Sequence, residues 1–167
     1  MCLVLLTVDV CNNYTVLSEP DRAQGHMSSN YRSDRYLVPG WYRFQGAAGD
    51  RMADKCVPIY HCGTQNPIWL SGAHPTVAEG VVIRRVCYNV NYKCCFWRGN
   101  IRVKNCGAYF VYTFPKQYEI HGRYCGNGGA GKILGMFSFS KVGRHFLISS
   151  NATIKDALID INIGFLL

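Results

Sequence analysis

The chain has 167 residues, of which 49% are hydrophobic, and it carries a formal net charge of +8. This length and hydrophobic fraction allow a folded core and exclude a globally disordered chain. The basic residues are dispersed, so the charge does not indicate a nucleic-acid-binding stripe and fits a modest attraction to acidic glycans or anionic surfaces. Nine cysteines favour a secreted protein, in which that many thiols pair as disulfides.

Residues 1–10 begin with a short apolar run at 2–6, which Asp9 follows closely. The run has no basic residue before it and is shorter than a complete signal peptide, so we interpret 1–10 as a truncated signal segment. No run reaches the ~18 apolar residues typical of a membrane-spanning helix. We therefore expect no transmembrane segment.

Residues 11–125 contain short runs of aromatic and β-branched residues, separated by residues that favour turns. These runs predict strands at 40–44, 67–70, 80–87, 101–104 and 109–114. Gly99-Asn100 predicts a tight hairpin turn, and a short helix is expected between Glu19 and Tyr31. The sequence therefore predicts one mainly β domain with small α content.

The composition changes after residue 125. All three tryptophans and all eleven tyrosines lie before this point, and no Cys, Trp, Tyr or Pro follows Gly126. We therefore expect 126–167 to be a Gly-rich linker and a tail of unassigned structure.

Eight of the cysteines fall within 11–125, at positions 11, 56, 62, 87, 94, 95, 106 and 125. An even number is consistent with four bridges, but eight cysteines allow 105 connectivities. Cys94 and Cys95 would point to opposite faces of a strand and should therefore have different partners. Spacing alone does not choose among the remaining connectivities.

Gly-Trp-Tyr-Arg-Phe at 40–44, Cys-Cys-Phe-Trp at 94–97 and the segments 11–20, 62–75, 101–106 and 124–126 follow one another in a distinctive order. Together they resemble the uromodulin-like eight-cysteine domain. The resemblance implies an extracellular domain held by four disulfides, which would leave Cys2 outside the set. The implied pairs are Cys11 with Cys106, Cys56 with Cys94, Cys62 with Cys125, and Cys87 with Cys95.

The resemblance also implies a secreted, non-enzymatic module with no cofactor, metal or catalytic residue. Such a module would bind extracellular proteins or glycans, or present its own N-glycan to partners such as microbial adhesins. The alternative is a structural spacer in an extracellular matrix or filament. Asn13-Tyr14-Thr15 and Asn151-Ala152-Thr153 are N-glycosylation acceptors, and we expect Asn13 to be used. We expect the three tryptophans, at 41, 69 and 97, to lie in the core rather than to form a sugar-binding platform.

Three other site types fit the sequence less well. Cys56 and Cys62 are spaced too widely for a common structural zinc site. The glycine run at 126–132 lacks the Ser or Thr that a phosphate loop requires next. A hydrolase would need Ser71 near His74, or the Asp50/Asp54 pair, without any supporting motif.

Overall fold

The computed structural model describes residues 9–116, 121–129, 138–142 and 145–149. Its contacts divide the chain into two units, Met1–Gly131 and Lys132–Leu167. Asn151 and residues 1–8, which include Cys2, lie outside the described residues. Within the described residues, no helix is long and apolar enough to cross a membrane.

Seven strands of the first unit form one sheet. They are β1 (Thr15–Leu17), β2 (Trp41–Phe44), β3 (Asn66–Leu70), β4 (Val81–Val90), β5 (Lys93–Asn105), β6 (Phe110–Thr113) and β7 (Gly122–Tyr124). Their spatial order is β1-β2-β6-β5-β4-β3-β7, with parallel pairing at both ends and antiparallel pairing between. The described part of this unit also contains three single-turn 3-10 helices, Pro20–Arg22, Gly46–Ala48 and Val77–Glu79. The first of them lies where the short helix was expected. The mainly β fold class is confirmed.

All five predicted strands occur, but the predicted hairpin turn was wrong. Gly99 and Asn100 lie in the middle of β5, and Asn91-Tyr92 connects β4 to β5 with φ values of 49° and 61°. Two positive φ angles are what a tight hairpin requires, and asparagine tolerates them better than most residues. Gly99 instead leaves room for its neighbours, because a Cβ there would lie 3.3 Å from a Val86 methyl carbon.

Aromatic side chains fill the core of the sheet. Phe44, Tyr112, Phe114 and Tyr124 are all buried, and the rings of Phe114 and Tyr124 stack with centroids 3.8 Å apart. Phe44 comes from β2 and Tyr124 from β7, which lie near opposite ends of the strand order. The sheet therefore curls around one aromatic core.

Residues 126–129 pack on this domain, although we expected a linker to begin at 126. The Gly126 amide donates to the Arg22 carbonyl at 3.0 Å, and the Gln24 amide donates to the Gly126 carbonyl at 2.8 Å. A Cβ at Gly126 would overlap the Ala48 carbonyl oxygen, so only glycine fits there. The contacts of the domain thus extend past residue 125. In the second unit, β8 (Ser138–Val142) and β9 (His145–Ser149) form an antiparallel pair.

Candidate functional site

The structure joins the eight cysteines of 11–125 in four disulfides, in the pairs that the resemblance implies. The Cα atoms are 5.8 Å apart in Cys11–Cys106, 5.6 Å in both Cys56–Cys94 and Cys62–Cys125, and 4.7 Å in Cys87–Cys95. These separations lie in the range of native bridges. The chemical pairing in the secreted protein stays a prediction.

The four bridges occupy different parts of the domain. Cys62 and Cys125 are fully buried and pack with Ala53 and Val57 in a second apolar cluster, which Trp69 borders. The other bridges tie the N-terminal loop to the end of β5 and fasten the β4–β5 hairpin. Cross-linking therefore reaches both the core and the exposed elements.

Asn13 lies on an exposed loop that leads into β1. Its side chain makes no hydrogen bond to another described residue, so its amide nitrogen is accessible. The loop itself is well anchored. The Asp9 carboxylate accepts from the Cys11 amide at 3.1 Å and from Lys104 Nζ at 2.9 Å, and the Tyr109 hydroxyl donates to the Cys11 carbonyl. The hydrogen bond from Lys104 lowers the pKa of Asp9.

Arg43 fixes the residue that follows Asn13. Its Nη1 donates to the Tyr14 hydroxyl at 2.9 Å, and its guanidinium carbon lies 3.9 Å from the centre of the Tyr109 ring. The two tyrosine rings meet edge to face, with centroids 5.5 Å apart. Tyr14 is the middle residue of the glycosylation acceptor, so this contact holds the acceptor segment against the domain. The sequence contains no local signal for the contact, because Arg43 and Tyr109 are distant in the chain.

His74 makes a hydrogen bond to a buried hydroxyl, that of Tyr112, rather than approaching Ser71 as considered from sequence, and an acid lies near its other ring nitrogen. His74 Nε2 lies 2.9 Å from the Tyr112 hydroxyl, and Nδ1 lies 3.8 Å from an Asp54 carboxylate oxygen. Tyr112 also accepts from the Met52 amide at 3.0 Å and is fully buried. Burial raises the pKa of Tyr112 and lowers the pKa of His74 to about 4. A buried, protonated phenol is a poor nucleophile. We therefore assign the hydrogen bonds of the Tyr112 hydroxyl a role in stabilising the core.

A buried ionic network that the sequence did not reveal lies beside the Cys62–Cys125 bridge. Asp34 accepts from both terminal nitrogens of Arg22, at 2.7 and 2.9 Å, and from the Tyr124 amide at 2.8 Å. Arg123 donates to Asp21 at 3.1 Å and to the Cys62 carbonyl at 3.2 Å. The network fixes β7 and the bridge to the segment that contains Pro20–Arg22.

The end of the β4–β5 hairpin carries an exposed group of aromatic residues, Tyr92, Phe96 and Trp97, which we call the aromatic tip. Tyr92 is 80% exposed and Trp97 is 46% exposed. The expectation that Trp97 lies in the core was therefore wrong, because Trp97 pairs with Tyr88 of β4 but lies beyond residues 102–105, where β5 pairs with β6. Trp69 is partly buried, and its indole nitrogen donates to the Cys94 carbonyl at 2.8 Å.

Comparison with known proteins agrees with this architecture. The family model of the uromodulin-like eight-cysteine domain matches residues 42–126, just over half of the chain. Pancreatic secretory granule membrane major glycoprotein GP2 of Rattus norvegicus is 43% identical over 121 residues, which cover 70% of this chain and 23% of the relative. The Homo sapiens GP2 protein is 38% identical over 118 residues, which cover 70% and 22%. Uromodulin of Rattus norvegicus is 40% identical over 122 residues, which cover 72% and 19%.

The chain thus spans less than a quarter of the length of these relatives. Their similarity and the disulfide-rich fold identify a secreted, extracellular domain, as the sequence predicted. By the extent of the family match, the chain belongs to the uromodulin-like eight-cysteine domain family.

Proposed function

We propose that this chain is a non-enzymatic extracellular recognition module that presents an N-glycan at Asn13 and binds extracellular proteins or glycans. Microbial adhesins that recognise glycans are one class of partner for the displayed sugar. The observation that carries the proposal is the exposed Asn13 on its anchored loop.

Anchoring of the loop supports display rather than incidental modification. The bridge between Cys11 and Cys106 and the Asp9–Lys104 ion pair hold the loop from one side, and Arg43 holds Tyr14 from the other. A glycan on Asn13 would therefore project from a fixed point, which lowers the ordering entropy that a partner must overcome.

The aromatic tip supports the binding half of the proposal. Exposed aromatic side chains bring large, rigid contact areas and are enriched at binding interfaces. Two nearby disulfides, Cys56–Cys94 and Cys87–Cys95, restrain the strands that carry them. The tip is thus a preorganised contact surface for a protein or a sugar ring.

The test compares Asn13→Gln with its neighbour Asn12→Gln, which is also exposed but leaves the acceptor intact. Both are secreted from mammalian cells in an Asn151→Gln background, so that only one acceptor remains. Glycopeptide mass spectrometry measures occupancy, and a mannose-specific lectin and a panel of bacterial adhesins serve as binding probes. We expect occupancy and capture of the parent and Asn12→Gln, and loss of both in Asn13→Gln.

An unoccupied Asn13 in the secreted parent would overturn the display proposal. Equal capture of the parent and Asn13→Gln would overturn it as well, because binding would then not depend on this glycan. Incorporation into insoluble matrix, together with an absence of lectin and adhesin binding, would favour the structural spacer instead.

A further inference from the structure

The outer face of the sheet carries a row of arginines across β4 and β5. Register places Ile83 beside Arg102, Arg85 beside Asn100, and Cys87 beside Arg98. These three pairs follow one another at every second residue, so they share one face, with steps of about 6.8 Å along the strands. Arg85, Arg98, Asn100 and Arg102 are exposed. We call these four residues, with Ile83, the basic face.

The three arginines of this face are free of ion pairs with other described residues. The described Asp and Glu residues contact other groups, as Asp9 contacts Lys104 and Glu79 contacts Arg84, and none of them forms an ion pair with these three arginines. Like charges side by side repel, and no described carboxylate offsets that repulsion here. The basic face is therefore a region of positive charge that would attract anions.

A hollow of about 390 Å³ opens at one end of the basic face. Ile83, Asn100, Arg102 and Thr113 contribute to its lining, and Pro39 and Pro115 border it. Arg102 and Thr113 are direct cross-strand neighbours, and Ile83 is 66% exposed. The hollow thus combines an apolar wall with a guanidinium, an amide and a hydroxyl, which suits a sugar ring that carries an anionic substituent.

We propose that the basic face binds sulfated glycans, with one sugar ring in the hollow and sulfate groups on Arg102, Arg85 and Arg98. This inference deepens the binding half of the proposed function and is independent of the glycan on Asn13. A sulfate ester keeps its charge at all physiological pH values. Its oxygens match the fork of an arginine, which donates two parallel hydrogen bonds. A polysaccharide with repeated sulfate groups that lies parallel to the strands would contact all three arginines.

The experiment uses the 167-residue chain with Asn13→Gln and Asn151→Gln, so that neither acceptor carries a glycan. A heparin oligosaccharide is the probe, and chemically desulfated heparin and a single-stranded DNA oligonucleotide are the competing probes. The test variant replaces Arg85, Arg98 and Arg102 with Gln. The control variant replaces Arg32, Arg51 and Lys55 with Gln, which removes the same charge from exposed positions outside β4, β5 and the hollow.

We expect heparin binding by the parent and the control variant, and binding weaker by roughly tenfold or more in the test variant. A third variant with Lys at the three arginine positions should recover only part of the affinity, since lysine keeps the charge but loses the paired hydrogen bonds. Near-ultraviolet circular dichroism verifies that each variant is folded.

Equal weakening of heparin binding by the test and control variants would overturn the inference, because net charge alone would then explain it. Equal binding of desulfated heparin or DNA would overturn it too. Absence of heparin binding by this parent, together with lectin capture of the otherwise identical protein that keeps Asn13, would refute the basic face and leave the display function standing.

Discussion

Removal of Asp34 tests whether the buried ionic network holds the domain together. Asp34 is almost completely buried, and it is the shared acceptor for Arg22 and for the Tyr124 amide. Its replacement by alanine would leave the Arg22 guanidinium buried without its main partner, because the remaining contacts are the Tyr124 carbonyl and the partly exposed Glu19.

The expected cost follows from these contacts. Loss of one partner from a buried ion pair destabilises a domain by about 3–5 kcal/mol, since the other charge stays desolvated. Asp34→Ala should therefore lower the free energy of unfolding by that amount. Asp34→Asn keeps an acceptor for the Tyr124 amide and loses only the charge, so we expect a loss of about 2 kcal/mol. Asp54→Asn, at a partly exposed carboxylate, should cost less than ~1 kcal/mol.

Unfolding of the oxidised parent and the three variants in guanidinium chloride at pH 7, followed by tryptophan fluorescence, gives the four free energies of unfolding. The assay requires intact bridges, which non-reducing electrophoresis checks before each titration. A loss below ~1 kcal/mol for Asp34→Ala, or equal losses for Asp34→Ala and Asp54→Asn, would refute the reasoning. Either result would mean that solvent reaches Arg22 and that the network contributes no more than a surface ion pair.

Three further predictions concern acid and the bridges. Burial lowers the pKa of His74 from 6.5 to about 4. Because the unfolded state then binds the proton more tightly, the free energy of unfolding should fall by about 2 kcal/mol as the pH is lowered from 7 to 4.5. Titrations with guanidinium chloride should show a fall about 2 kcal/mol larger in the parent than in His74→Gln, because carboxylates with a lowered pKa, such as Asp9, lose stabilisation in acid in both proteins; equal falls would contradict the prediction. Non-reducing peptide mapping should recover all four bridges, whereas free thiols in the folded domain would refute the pairing. Loss of Cys11–Cys106, which joins residues 95 apart, should cost about 4–5 kcal/mol, against about 2–3 for Cys87–Cys95, 8 apart, and equal costs would argue against the loop-length effect.

Five of the seven strands in the sheet were predictable because aromatic and β-branched runs indicate them locally, whereas the three-residue strands β1 and β7 were not predicted. The hairpin was harder, since both Gly99-Asn100 and Asn91-Tyr92 contain a residue that favours a turn. The register of β4 and β5 shows which of the two sites forms the turn. Pairing of Val86 with Gly99 and of Val90 with Lys93 leaves only Asn91 and Tyr92 to connect the strands.

The contacts that join distant parts of the chain had no local signature. Arg22, Asp34 and Arg123 look like ordinary surface residues in the sequence, yet all three are buried. The prediction that Trp97 is buried failed for a related reason, because its burial depends on where β6 stops pairing with β5. The basic face likewise arises only when register aligns Arg85 with residues of the next strand.

The connection between Cys11 and Cys106 also limits how far the domain can lengthen under tension. A force applied at residues 11 and 125 would pass through the disulfide and then along the short segment from Cys106 to Cys125. That path reaches about 65 Å when fully extended, against about 400 Å for the uncross-linked segment. While Cys11–Cys106 stays oxidised, the distance between residues 11 and 125 could reach only about a sixth of that of the uncross-linked segment, even after the sheet has come apart.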